Sequence, residues 1–197
     1  MSVAGRAMQM NAGAAESQGD VLVFAHADMR FPQSAVRRIR ESVESGVVGG
    51  GFFKQYDPSS VLLKGYGWCL NHLYLTRMRN LVGTNGIFVT RTVFEALGGF
   101  PDQPLLEDVA FSSLLKHAGR LSVVRDAIRV SSRRYGKRGV LSQIVLNARI
   151  LAGYSLRKES PKTLKEKYGN GKNRKVKPTH ENQSIPIIAQ QRLIPNG

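Results

Sequence analysis

Residues 21–25, Val-Leu-Val-Phe-Ala, form a continuous apolar run, the pattern of a short strand buried on both faces. Gly19-Asp20 opens the run and His26-Ala27-Asp28 closes it. Ahead of it, Ala7, Met10 and Ala14, with Met8 close to the same side, recur at helical spacing over residues 1–17, while Arg6 and Asn11 fall on other faces. After Phe31-Pro32 the spacing predicts a helix over 33–45, with Ala35, Val36, Ile39 and Val43 inward and Arg37, Arg38 and Arg40 outward; Gly46 stops it. Residues 47–53, Val-Val-Gly-Gly-Gly-Phe-Phe, predict a strand with a glycine-permitted bulge or close backbone approach. These glycines lack the spacing of a phosphate loop or a dinucleotide fingerprint.

Asp57-Pro58-Ser59-Ser60 reads as a turn and cap before a helix over 61–79, whose Trp68, Leu70, Leu73 and Leu75 are expected in the core. A loop over 81–86, a strand over 87–90 and a two-turn helix over 92–97 closed by Gly98-Gly99 follow. After the turn Phe100-Pro101-Asp102, a helix is expected over 107–118, with Glu107 and Asp108 in its first turn, where acids suit the positive end of the dipole. Residues 121–125 and 127–130 read as two short strands, and 140–151 as an amphipathic helix with Leu141, Ile144, Val145, Ala148 and Leu151 on one side. From Lys158 onward the polar and basic composition predicts a loosely ordered tail.

A chain of 197 residues that is 42% hydrophobic supports one core. Its net charge of +15 is uneven: residues 125–177 carry sixteen lysines and arginines against three acids, and the remainder is close to neutral. Such a stretch suits a solvated tail, an anionic membrane surface or substrate phosphates. No recognisable nucleic-acid motif accompanies it, so no nucleic-acid partner is expected. Cys69 is the single cysteine, which excludes an internal disulfide and favours a reducing compartment. No apolar run approaches the roughly 20 residues of a membrane span, and the first residues lack the apolar block of a signal peptide. A cytoplasmic protein, at most peripheral at a membrane surface, is the expectation.

Two places carry candidate chemistry. Asp28 follows a buried strand, where open α/β sheets bind ligands, or it caps the turn before Phe31-Pro32. Glu107 and Asp108 are either acid–base groups or dipole partners of their helix.

The ordered set Gly5-Arg6-Ala7 through Asn11 and Gly13, Gly19-Asp20, His26-Ala27-Asp28, Gly86-Ile87-Phe88-Val89, Phe94 to Pro101 and Glu107-Asp108 resembles the family 2 glycosyltransferases of GT-A fold. The closest likeness is to the transferase 2, radical-SAM/selenodomain-associated branch, which also has an Arg-Arg-aromatic segment, here Arg133-Arg134-Tyr135. The resemblance covers about residues 4–155. It implies an α/β domain over 1–155 with a mixed sheet flanked by helices, lacking the first βα units, and a basic tail over 156–197. By that likeness about 60 to 70 residues of a full domain are missing, and the sheet presents an unpaired edge.

The resemblance also implies roles. Asp28 matches the last carboxylate of an Asp-x-Asp motif and would bind the Mg²⁺ or Mn²⁺ that bridges the diphosphate of a UDP- or GDP-sugar. His26 stands at that motif's first position, as a metal ligand or as a hydrogen-bonded histidine. Arg6, Asn11 and Gly13 match the donor side; Arg6 is otherwise a solvated cation, and Gly13 a close-packing position. Asp108 matches the general base of an inverting hexosyl transfer to an unidentified acceptor, with Glu107 beside it as a support, a cap or an acceptor contact. Thr84 and Asn85 lie in the acceptor loop, where Thr84 replaces an expected acid. Arg133, Arg134 and Tyr135 would close over the diphosphate or meet an anionic acceptor, or they form a membrane-facing or structural basic cluster. The alternative is a non-catalytic remnant or interaction module that keeps the fold.

Overall fold

The computed structural model describes residues 5–156, 160–170 and 187–188. It is a mixed α/β protein. Helix α1 (Arg6–Glu16) leads into strand β1 (Val21–Ala25) and the two-residue β2 (Met29–Arg30). Helix α2 (Ala35–Glu44), strand β3 (Gly49–Asp57) and helix α3 (Val61–Cys69) follow, and α3 continues as a π-helical segment, Leu70–Arg77. A short 3₁₀ turn, Gly83–Asn85, precedes β4 (Ile87–Thr90) and α4 (Arg91–Ala96). Then come α5 (Glu107–Ala118), β5 (Leu121–Ser131), α6 (Arg133–Arg138), α7 (Val140–Ser155), α8 (Pro161–Asn170) and the two-residue β6 (Ile187–Ile188).

The strands lie in the order β2-β5-β3-β4-β1-β6. Among the described strands only β3 and β5 run parallel; β4 is antiparallel to both β1 and β3, β2 to β5, and β6 to β1. The period of two sorts the core onto both faces of the sheet. Leu22, Phe24, Ile87 and Val89 join α1, α4 and α5 in one cluster built on Phe94, Phe100 and Phe111. Val23, Phe88, Phe52 and Ile128 point to the other side, against Ala35 and Ile39 of α2 and Leu63 of α3. The continuous apolar run at 21–25 is therefore explained by two covered faces.

The glycines of β3 serve close approach. A Cβ at Gly49 would meet Phe88 O at 2.5 Å, and one at Gly50 would collide with Ser122 O, so β3 sits between β4 and β5 only because those positions carry no side chain.

Several expectations need correction. Residues 121–131 form one strand, not two. Its register against β3 shifts between Phe52 and Lys54, and Asp126 at that irregularity accepts bonds from Ser34 Oγ (2.6 Å) and Arg38 Nε (3.0 Å), tying α2 to β5. Val36 is exposed rather than inward. Of the four residues expected in the core of the long helix, Leu75 is buried and Leu70 half-buried, whereas Trp68 and Leu73 are exposed. The register slips where the helix widens to i→i+5 bonding, as in Met78 N–H to Leu73 O at 3.0 Å.

In α7 the expected apolar side is also displaced: Leu141 and Val145 face solvent, and Gln143 and Ile150 are buried. The expected loose tail contains helix α8, with Leu164 buried; residues 157–159, 171–186 and 189–197 of that tail lie outside the described residues. At the expected open sheet edge, Phe24 and Ala25 of β1 pair with Ile188 and Ile187 of β6.

Candidate functional site

The carboxyl end of β1, the first turns of α1 and α5, the middle of β3 and the inner sides of α6 and α7 enclose a cleft of about 220 Å³. Asp28 and Asp108 both line it, and so do Arg6, His26, Lys54 and Arg134. Two carboxylates 80 positions apart in sequence thus share one cavity with four basic side chains.

Asp108 is held from several sides. Its Oδ2 accepts the backbone N–H of Gly83, and its Oδ1 accepts the N–H of Val109 at 2.8 Å. Arg6 Nη2 lies 3.8 Å from Oδ2. A carboxylate has about four acceptor positions, so these contacts fix its plane and leave lone pairs for a further proton. Leu106, immediately before α5, adopts a left-handed backbone (φ +62°). That conformation is uncommon for a non-glycine residue, and strain of this kind clusters at functional sites.

Glu107 is buried beneath this wall and does not line the cleft. Its Oε1 lies 3.0 Å from Arg6 Nε in an ion pair, without the alignment of a hydrogen bond. Burial raises the Glu107 carboxyl, with Arg6 opposing. Glu107 thus meets Arg6 from beneath the cleft and makes no contact with the cavity itself.

Arg6 Nη2 also bonds His26 Nε2 at 2.8 Å. Burial first and Arg6 second lower His26 to about 4, so the imidazole is neutral at pH 7 and its Nε2 lone pair accepts from the guanidinium. That lone pair is committed to Arg6, which is the hydrogen-bonded reading of His26. Among the described residues no three His, Cys, Asp or Glu side chains are grouped to hold a metal ion. Asp28, half-buried at the cleft edge, offers a single carboxylate. Mg²⁺ commonly takes one or two carboxylates with phosphate oxygens and waters, so the donor set suits a cation that arrives with a diphosphate.

The other expected residues divide. Thr84 lines the cleft and accepts from Lys54 Nζ at 2.7 Å. Asn85 is buried and spent on the backbone, donating to Phe52 O (2.9 Å) and accepting from Val82 N (3.1 Å). Asn11 does not line the cleft; it brackets Phe100, donating to its carbonyl at 2.9 Å and accepting from its N–H at 2.8 Å. Gly13 is likewise outside the cleft lining. Arg133 bonds Ser131 Oγ at 3.2 Å and stays out of the cleft, whereas Arg134 and Tyr135 line it.

Three cleft residues were not among the residues the sequence pointed to. Lys54 on β3 is only 3% exposed, and burial lowers its ammonium to about 7. Tyr56 and Tyr66 complete an aromatic trio with Tyr135: the Tyr56 and Tyr66 rings stack with centroids 6.0 Å apart, and Tyr135 meets Tyr56 edge-on at 5.1 Å, with its hydroxyl donating to Tyr56 Oη at 3.1 Å. Burial pushes the Tyr66 phenol up to about 12 and raises Tyr56 further. Alternation along β3 could have flagged Lys54, because Phe52, Lys54 and Tyr56 share one side of the strand.

Compared with known proteins, the chain matches no family model, no curated protein and no solved structure.

Proposed function

We propose that the protein is a glycosyltransferase of GT-A type that transfers a hexosyl group, with inversion, from a UDP- or GDP-sugar. The observation that carries this reading is the shared cleft of Asp28 and Asp108, the two positions that the ordered sequence motifs pair as donor-side and acceptor-side carboxylates.

In this reading Asp108 takes the proton of the acceptor hydroxyl. The hydroxyl oxygen bonds to the anomeric carbon while the bond from that carbon to the diphosphate breaks, and the electron pair leaves with the nucleoside diphosphate. Hydrogen bonds from Gly83 and Val109 hold the base in place through the step. Asp28 would hold Mg²⁺ or Mn²⁺, which when bound offsets the charge growing on the leaving diphosphate. Arg6, fixed by Glu107 and His26, adds a stationary cation near the same charge. Tyr66, half-buried on the cleft wall and backed by Tyr56 and Tyr135, would offer apolar surface to a sugar ring. The basic stretch from Arg125 to Lys177 serves peripheral contact with an anionic membrane surface. Among the described residues, no helix is long and apolar enough to cross a membrane.

Calorimetric titration with UDP and with GDP in the presence of Mn²⁺ tests the donor half of this reading. Micromolar binding of one nucleotide, weakened at least tenfold in Asp28→Ala, is expected. Failure of both nucleotides to bind contradicts it.

A further inference from the structure

The mechanism above makes no use of Lys54, although its amine is among the most enclosed ionisable groups of the cleft. Its side chain rises from β3, and its Nζ donates to Thr84 Oγ1 at 2.7 Å. Among the described residues it forms no ion pair. A buried ammonium is costly unless a countercharge meets it, and a neutral hydroxyl is not one.

Other charged and titratable groups line the same cleft: Asp108 from α5, Arg6 from α1, Arg134 from α6, His26 and Asp28 after β1, with Tyr56, Tyr66 and Tyr135 on the aromatic side. Asp108 alone acts on Lys54 as an opposing charge, and its oxygens are engaged by Gly83, Val109 and Arg6. A second, narrow recess, lined by Arg6, His26, Gly83 and Asp108, does not include Lys54. The amine therefore belongs to the broad part of the cleft, which Arg6 and His26 also line, and not to the narrow recess.

We infer that Lys54 and Thr84 form an anion subsite, one that receives a carboxylate or phosphate group carried by the acceptor. The word acceptor rests on the transfer reading; the anion subsite does not. Lys54 has three N–H donors, of which Thr84 uses one. Thr84 Oγ1, while accepting from Lys54, keeps its own O–H to give to the same oxyanion. A bound anion supplies the missing countercharge and holds Lys54 protonated, so binding takes up a proton. Burial has already lowered the amine to about 7, which puts this uptake in the neutral range.

Sulfate is a suitable probe, because its own charge is constant across that range. The full chain is titrated calorimetrically with sulfate between pH 6 and pH 9, alone and with saturating UDP and Mn²⁺. Sulfate affinity is expected to fall by up to about tenfold per pH unit above about 7, the limit for one coupled proton. Lys54→Met is expected to weaken sulfate at least tenfold at pH 6.5 and to flatten the pH profile. Thr84→Val, which leaves the lysine in place, is expected to weaken it severalfold and keep the slope, and it serves if the methionine variant does not fold. Retained binding in the presence of UDP and Mn²⁺ supports a subsite separate from the donor's. Unchanged affinity and slope in both variants, or displacement of sulfate by UDP, overturns the inference. Sulfate binding requires neither nucleotide nor metal, so this result is independent of donor binding.

Discussion

Gly83 holds its place because there is no room for a Cβ. A methyl group there would press into Arg6 Nη2 and reach within 2.7 Å of His26 Nε2 and 3.1 Å of Asp108 Oδ2. The same residue donates its N–H to Asp108, so one glycine fixes both the spacing of the Arg6–His26–Asp108 cluster and the orientation of the proposed base. Overpacking typically costs about 1–3 kcal/mol. Gly83→Ala is expected to lower Tm by about 2–4 °C per kcal/mol lost and to reduce donor turnover at least tenfold, both read from a thermal melt and a hydrolysis assay. A variant that melts and turns over like the parent would show that the cluster yields easily. Gly98, whose Cβ would meet nothing within 4 Å, shows by contrast that not every loop glycine is so enclosed.

At the scale of elements, α1 is coupled to the turn before α5 through Asn11, which satisfies both backbone groups of Phe100. Phe100 in turn packs on Phe111 with ring centroids 4.4 Å apart, so the first helix positions the segment that leads to Glu107 and Asp108. Asn11→Ala leaves the Phe100 N–H and C=O without these partners, at a cost of about 1–3 kcal/mol for each buried group left unpaired. Denaturant unfolding is expected to register that loss, while UDP or GDP affinity stays within twofold of the parent. Weakened nucleotide binding at unchanged stability would return Asn11 to the donor contact that the sequence resemblance implied. The displaced face of α7 has an equally local cause. Gln143, Asn147, Ile150 and Leu151 line the cleft, and a helix face turned toward a wet cavity mixes polar with apolar residues. The hydrophobic spacing followed Leu141 and Val145 instead, which face solvent.

For the whole molecule, the elements carried by strong local patterns were legible: the run at β1 and α5 with its acidic first turn stand where the spacing put them, whereas β3 was expected over 47–53 and runs instead from Gly49 to Asp57. The meeting of Asp28 with Asp108 was legible only through the order of motifs, because nothing local to either residue specifies the other. Lys54, Tyr56 and Tyr66 were not legible. Lys54 lies beyond the expected end of its strand, and its burial here depends on the π-helical segment and the Gly83–Asn85 turn closing over it, as its backbone bonds with the Asn71 amide and the bond from its Nζ to Thr84 Oγ1 record. Trp68 was misplaced for a different reason: a large aromatic residue favours a core on average, but its ring lies outside against His72, with centroids 5.1 Å apart.

The central claim is that one cleft holds two carboxylates with separate tasks, Asp28 toward the donor and Asp108 toward the acceptor proton. Turnover of a UDP- or GDP-sugar panel with Mn²⁺, measured alongside nucleotide affinity for Asp28→Asn and Asp108→Asn, tests it most directly. The account predicts that Asp28→Asn loses nucleotide affinity and turnover together. Asp108→Asn should keep its nucleotide affinity and lose at least 10²-fold in turnover, the lower range for a removed acid–base group. Equal turnover in the parent and both variants would contradict it.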